Sequence, residues 1–427
     1  MDSPVIGFAG MTHLGLNSGA AAAERGFEVV CFDRDSILIG RLRDGYLPVA
    51  EPGLDDAVRN NADRLTFSAD DAVLRRCDVV YVAPDVPTGA DDSSDLAPVL
   101  GLIEAVDNAL DADTVLVLLS QVPPGFTRGL GSQRRHLYYQ VETLIFGQAQ
   151  SRALHPERFI VGCADPASPL PDTYRLFLEA HDCPILTMRY ESAELAKISI
   201  NCCLVAHISV ANTLADLCER IGADWSEIVP ALRLDRRIGP HAYLVAGLGL
   251  AGGNLERDLT TIIEAAARVG TDATVVRAFV DNSAYRKDWV LQRLHELVLP
   301  TTATPKIGLL GLAYKQDTNS TKNSPAIALL RHLTPFPVTA YDPAVAPSRD
   351  WHPELRKAAD VLTACEGADV VAVMTPWPEF ADIQPTRLAD VMSGNIVLDP
   401  LRVLDGEACR AAGLVRITIG APPDISA

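Results

Sequence analysis

VIGFAGMTHLGLNSGAAAAERGFEVVCFD, residues 5–33, is the stretch on which the fold turns. Val5–Ala9 is a short apolar run suited to a strand buried on both faces. A glycine-bearing turn follows, and the small residues of Asn17–Arg25 suit a helix packed close against a sheet. Glu28–Phe32 reads as the next strand, and Asp33 ends it. Further buried-type strands are expected at Val79–Ala83 and Thr114–Leu119, with helical stretches between them. Strand alternating with helix at this spacing predicts a parallel, doubly wound sheet.

The middle of the chain has a different pattern. Ser192 to about Ile221 is helical without a break, with apolar residues at Leu195, Ile198, Leu204, Ile208, Val210 and Leu214. More helix is expected over Asp258–Val269 and Ala273–Val298. A second strand-turn-helix unit opens at Lys306 with KIGLLGLAY, followed by strands at Pro337–Tyr341, Val370–Met374 and Asn395–Leu398. The expected fold class is α/β: two Rossmann-like, doubly wound parallel-sheet domains joined by a long central helical segment. The boundaries fall at residues 1–190, 191–300 and 301–427, with PTTATP, residues 300–305, as a linker. The similar openings at both ends suggest a distant repeat.

Composition narrows the function. A chain of 427 residues exceeds one ordinary core, and 48% hydrophobic with 22% charged residues is a globular balance. A net charge of -18 disfavours nucleic acid and anionic membranes as partners, while helix N-termini and a few cations can still hold a phosphate-bearing small ligand. The nine cysteines form no CxxC pair and no metal-ligand spacing, which predicts reduced thiols, no metal and a cytoplasmic location. No run approaches the ~18 apolar residues of a bilayer span, and the early strand leaves no room for a signal peptide.

The turn Gly10-Met-Thr-His-Leu-Gly15 departs from GxGxxG by placing Thr12 at the second glycine. The first glycine makes the turn, the second lets backbone approach a pyrophosphate, and the third lets helix and strand pack closely. Asp33 stands 23 positions after Gly10, where a carboxylate accepts from a ribose 2′-hydroxyl and repels a 2′-phosphate. Gly10, Thr12, Leu14, Gly15 and Asp33 are the expected cofactor contacts. NAD is the expected cofactor, although Arg34 beside Asp33 leaves NADP open. His13 reads as a surface or packing residue.

Several further segments resemble the UDP-glucose/GDP-mannose dehydrogenase family, in order along nearly the whole chain. They are GYLPVAEPGLDDAV (Gly45–Val58), VVYVAPDVPT (Val79–Thr88), LSQVPPGFT (Leu119–Thr127), Ser192–Asp224, Leu234–Asp258 and GLLGLAYKQDTNSTKNSPA (Gly308–Ala326). The resemblance implies an N-terminal NAD domain, a central helix that forms a homodimer and a C-terminal domain for a nucleotide-diphosphate sugar. It puts the active site in the cleft between the α/β domains. It adds Pro84, Thr88 and Gln121 to the cofactor surroundings, and Arg237, Gly249, Lys315 and Lys322 to the substrate contacts. Lys322 replaces an arginine and so loses the planar fork. Arg402 matches a family arginine only loosely.

The resemblance also implies catalytic roles. Family members oxidise a sugar C6 alcohol twice. Lys197 falls on the family lysine that stabilises the developing oxyanion, with Asn201 one turn later, and Asp258 on the aspartate that orients a water. Glu142 matches the glutamate that hydrolyses a thioester. The family cysteine that forms this thioester is replaced by Asn254, whose neutral amide has no nucleophilic lone pair. Gln121 replaces a threonine of the same step, and Cys202 and Cys203 read as packing residues. The expected enzyme is an NAD-dependent oxidoreductase that removes one hydride, with two-electron or redox-neutral, epimerase-like outcome. The alternatives are a four-electron 6-dehydrogenase working without covalent capture and a non-catalytic nucleotide-sugar binding protein.

Overall fold

The computed structural model describes residues 3–423 apart from 88, 90–93 and 133. The chain divides into two compact units, Met1–Ile200 and Asn201–Ala427. The first holds an eight-stranded sheet of β1 (Ile6–Ala9), β2 (Val29–Phe32), β3 (Leu65–Ser68), β4 (Val79–Val82), β5 (Val115–Leu118), β6 (Leu137–Gln140), β7 (Phe159–Cys163) and β8 (Ile185–Arg189). Their order is β3-β2-β1-β4-β5-β6-β7-β8, and every pair is parallel except β6 with β7. The second unit holds a six-stranded parallel sheet, in the order β11-β10-β9-β12-β13-β14. Its strands are β9 (Ile307–Leu310), β10 (Val338–Tyr341), β11 (Arg356–Lys357), β12 (Val370–Val373), β13 (Ile396–Leu398) and β14 (Val415–Ile417). Both sheets begin with the doubly wound order 3-2-1-4-5-6 of dinucleotide-binding folds.

Apolar strands read as continuous runs because both faces are covered. In β4, Val79 and Tyr81 pack into one core and Val80 and Val82 into the other, all at most 1% exposed. The repeat suggested by sequence appears in backbone detail. Gly10 has φ 99° and its N–H donates to Phe32 O at 2.9 Å; Gly311 has φ 95° and donates to Tyr341 O at 2.8 Å. Asp33 Oδ2 accepts from Met11 N–H, and Asp342 Oδ2 from Leu312 N–H, both at 2.7 Å.

Several boundaries differ from expectation. The first helix is His13–Glu24, four residues earlier than read, because Thr12 takes the extended N-cap conformation directly after the turn. The Asn254–Val269 helix also starts four residues early, which places Asp258 in its second turn rather than at its cap. The expected Ala273–Val298 helix breaks at Asp288 into Thr274–Lys287 and Trp289–Leu297.

The central helix spans Tyr190–Ile221. By length and composition alone it is apolar enough to cross a membrane, although charged and polar residues interrupt its apolar runs. Its charged residues instead make packing contacts. Asp216 and Glu219 meet the buried Arg286 at 3.1 and 3.5 Å, and Glu219 also accepts from Trp289 Nε1 at 2.9 Å. On that part of the helix Ala211, Ala215 and Cys218 are buried, while Val210, Leu214, Leu217 and Ile221 are exposed.

The glycine turn sets the tightest tolerance in the first unit. A Cβ on Gly15 would lie 1.9 Å from Gly10 O, a backbone atom that cannot swing aside. Gly15→Ala is expected to lower the melting temperature by about 10 °C or more. Gly40→Ala, in a helix with nothing within 4 Å of the added methyl, is expected to be neutral or slightly stabilising. Differential scanning calorimetry of the two variants checks both.

Candidate active site

The turn after β1 keeps a dinucleotide-binding geometry despite Thr12. Its side chain is turned onto the segment after β4, where Thr12 Oγ1 accepts from Asp85 N–H at 2.9 Å. Asp33 is half-buried; its second oxygen accepts from Asp35 N–H at 2.9 Å. Leu14 is buried in the core below. The tight turn, the Gly10–Gly15 contact and a carboxylate at the end of β2 together fit a nicotinamide dinucleotide.

His13 is the first residue of its helix and is 7% exposed. Its Nε2 lies 2.9 Å from Glu51 Oε2, and its ring meets that of Phe146 at 4.1 Å. Glu51 also accepts from Ala149 N–H at 2.8 Å. The packing reading of His13 therefore holds, with a polar partner that sequence did not show. Burial by itself pushes the Glu51 carboxyl up; the His13 hydrogen bond and the Ala149 and Gly147 amides outweigh it and hold the group below its ordinary value.

Pro84 is buried beneath Gly10, and its carbonyl accepts from Ser120 Oγ at 2.6 Å. Gln121 follows in a loop anchored by Glu194, which is fully buried and accepts from Gly125 and Thr127 N–H at 2.6 and 2.8 Å. Burial raises the Glu194 carboxyl. Sequence missed Glu194 as an anchor, although it precedes Lys197 by one helical turn. Thr88 lies outside the described residues.

The structure brings together two of the expected catalytic residues in the first unit. Lys197 Nζ lies 3.1 Å from Glu142 Oε2, with the side chains only 12% and 16% exposed. Glu142 follows β6, whose last residue, Gln140, accepts from the hydroxyls of Tyr81 and Tyr174 at 2.9 and 3.0 Å. Gln140 and Glu142 line a cavity of about 60 Å³.

The second unit brings together another pair. Asn201 Nδ2 donates to Asp258 Oδ2 at 2.5 Å, and Asp258 is 2% exposed. Arg257, also buried and not singled out from sequence, lies 3.5 Å from Asp258. Cap duty is thereby excluded for Asp258. Asn254 is exposed at the first position of the same helix. Glu256 in that turn reaches Lys287 at 2.6 Å and also bonds Asn323.

The preceding loop is fixed by backbone. A Cβ on Gly249 would lie 2.4 Å from Ser283 O, so glycine there answers to packing. Gly252 has φ 81°, packs on the Tyr314 ring and donates to Lys322 O at 3.0 Å. Lys322 thus adjoins the loop through its backbone, and Lys315 Nζ lies 5.9 Å from the centre of the Tyr314 ring. Arg237 is exposed and paired with Asp235 at 2.6 Å. Arg402 is committed to Asp224 and Ser226, at 2.8 and 2.9 Å. Cys202 packs against Val205, Leu250 and Leu259, and burial raises its thiol; Cys203 is exposed, so the packing reading fails for it, because its place on the helix turns it away from that cluster.

Comparison with known proteins agrees with this geometry. Residues 5–175 match the NAD binding domain of the UDP-glucose/GDP-mannose dehydrogenase family, residues 191–283 its central domain and residues 308–406 its UDP binding domain. A UDP-glucose 6-dehydrogenase of Pseudomonas aeruginosa is 31% identical, over 97% of this chain and 96% of that protein. One of Bacillus subtilis is 29% identical, over 98% and 93%. Among solved structures, a UDP-glucose dehydrogenase from Pyrobaculum islandicum superposes with a TM-score of 0.81 at 26% identity, covering 95% of this chain and 98% of that one.

The Glu51 pair gives a signed stability test. A depressed folded value means that the pair's contribution is complete above the ordinary value of 4.5 and is lost as pH falls through the folded value. His13→Leu is expected to cost about 1–3 kcal/mol at pH 7 by leaving the carboxylate short of a partner. The gap between parent and variant should close as pH falls below 4.5 through the depressed folded value, as thermal melts at successively lower pH would reveal.

Proposed function

The chain belongs to the UDP-glucose/GDP-mannose dehydrogenase family, and on that footing we propose that it oxidises an alcohol of a nucleotide-diphosphate sugar without the covalent second stage. It is an NAD-dependent oxidoreductase of the nucleotide-sugar dehydrogenase kind. The observation that carries the finer reading is Asn254, an amide at the position where the family keeps a thiol.

NAD, when bound, accepts a hydride from the carbon that bears the alcohol. We assign its contacts to Gly10, Thr12, Leu14, Gly15, Asp33, Pro84, Thr88 and Gln121. Lys197 stabilises the developing alkoxide with its ammonium, which Glu142 keeps aimed from 3.1 Å. Asn201 is assigned as a neutral hydrogen-bond donor to the substrate, its amide oriented by Asp258. Asp258, flanked by Arg257, holds the water that removes the hydroxyl proton. Arg237, Gly249, Lys315 and Lys322 define the substrate contacts.

No acyl-enzyme follows. Asn254 cannot add to the carbonyl, and Gln121 stands where the family threonine assists hydrolysis. Cys202 is held in an apolar cluster with a raised thiol, so it is a poor replacement. The carbonyl product therefore leaves, or it takes the hydride back on its opposite face as an epimer.

Residues 1–190, 191–300 and 301–427 are assigned as the NAD, central and nucleotide-sugar domains of a cytoplasmic homodimer. Val210, Leu214, Leu217 and Ile221 recur at spacings of four, three and four along the central helix, 40–64% exposed. An apolar seam with that period suits a second copy of the same helix.

Two measurements check the reading. With UDP- or GDP-sugars, NADH per product should be one or zero, and Lys197→Ala should abolish turnover. Two NADH per sugar acid would support the four-electron alternative, and no sugar converted from a broad panel would leave a binding protein. Leu214→Glu with Leu217→Glu should convert a dimer to a monomer in light scattering, and an unaltered mass would place the interface elsewhere.

A further inference from the structure

The first turn of the His13–Glu24 helix offers N–H groups that have no partner inside the helix, and its partial positive charge is the usual seat of a cofactor diphosphate. One of these groups is already occupied. His13 N–H donates to Asp85 Oδ2 at 3.0 Å. Asp85 N–H donates in return to Thr12 Oγ1 at 2.9 Å, and that hydroxyl lies 3.4 Å from Ala83 O. The segment after β4 is thus stapled to the cofactor turn by reciprocal bonds.

The staple depends on the departure from GxGxxG. A glycine at position 12 has no hydroxyl to receive the Asp85 amide, so Thr12 and Asp85 work as a pair. The fold does not need the carboxylate to stay. Asp85 is exposed as a residue, although the protein around its carboxyl desolvates that group and raises it; it lies three residues beyond the end of β4, and β4 is held by β1 and β5 independently of it.

We infer that Asp85 is an internal anion that competes with the NAD diphosphate for the helix N-terminus, with Thr12 as its holder. NAD then binds only as the carboxylate swings out, and affinity is set lower than the fold alone would give. A diphosphate brought near a retained carboxylate meets like charge; a diphosphate that displaces it must break the hydrogen bond from His13 N–H. The inference rests on NAD binding to the first unit.

Titration calorimetry of the intact protein tests it, with NAD and adenosine as separate probes. Asp85→Asn keeps an oxygen to cap His13 N–H but removes the charge. It should bind NAD about three- to tenfold more tightly, with the gain shrinking at high salt. Adenosine, which lacks the diphosphate, should bind parent and variant alike. Thr12→Gly should also tighten NAD, and adding Asp85→Asn to it should give little more. Unchanged or weaker NAD binding by Asp85→Asn, with its melting temperature preserved, would overturn the inference and leave Asp85 as a cap. Tightening of adenosine to the same degree would also overturn it, because the effect would not concern the diphosphate. If neither protein binds NAD, the cofactor assignment itself fails.

Discussion

The approach of the first helix to the first strand is the constraint on which the rest is built. Gly15 sits against the carbonyl of Gly10 at a distance that no side chain could share. That contact fixes where the helix begins, which N–H groups face the strand ends, and how Asp33 reaches back to Met11. The second unit repeats the arrangement at Gly311 and Asp342, with one difference in the partners of the aspartate. Asp342 accepts from Leu312, Ala313, Ala344 and Val345 N–H and from the Trp377 indole, so its carboxylate is consumed in holding the turn. Asp33 is less committed and half-buried, as suits a residue that meets a ribose.

Upon that frame the polar residues fall into two pairs. Lys197 with Glu142 belongs to the first unit, and Asn201 with Asp258 to the second. Both pairs are largely buried, and each member satisfies the other. A buried lysine without its carboxylate, or a buried aspartate without its donors, would be costly to keep. Such pairs fit proton handling and oxyanion stabilisation at hydride transfer. Covalent capture of an aldehyde needs a thiolate as well. At Asn254 there is an amide, and the nearby Cys202 is packed among aliphatic side chains.

Much of this was legible in the sequence because strands buried on both faces read as unbroken apolar runs, as at Val79–Val82 and Val115–Leu118. The partly exposed edge strands β3, β8 and β14 carry no such signal and were not read, nor was the two-residue β11; the buried β6 and β7, which form the one antiparallel pair inside the first sheet, were missed as well, so burial alone did not make a strand legible. Helix starts at His13 and Asn254 were missed because neither is preceded by a side-chain cap that bonds the first turn. The expected catalytic residues were read from their motifs. Their partners were not, since contacts such as His13 with Glu51, or Glu194 with Gly125 and Thr127, join segments far apart in the chain.

The central claim is that no bond forms between enzyme and sugar during turnover. Intact-protein mass spectrometry after acid quenching, with NAD and an accepted nucleotide sugar present, examines it directly. The account predicts the unmodified mass at every time point. A transient species heavier by one sugar nucleotide, mapped to any cysteine, would contradict it.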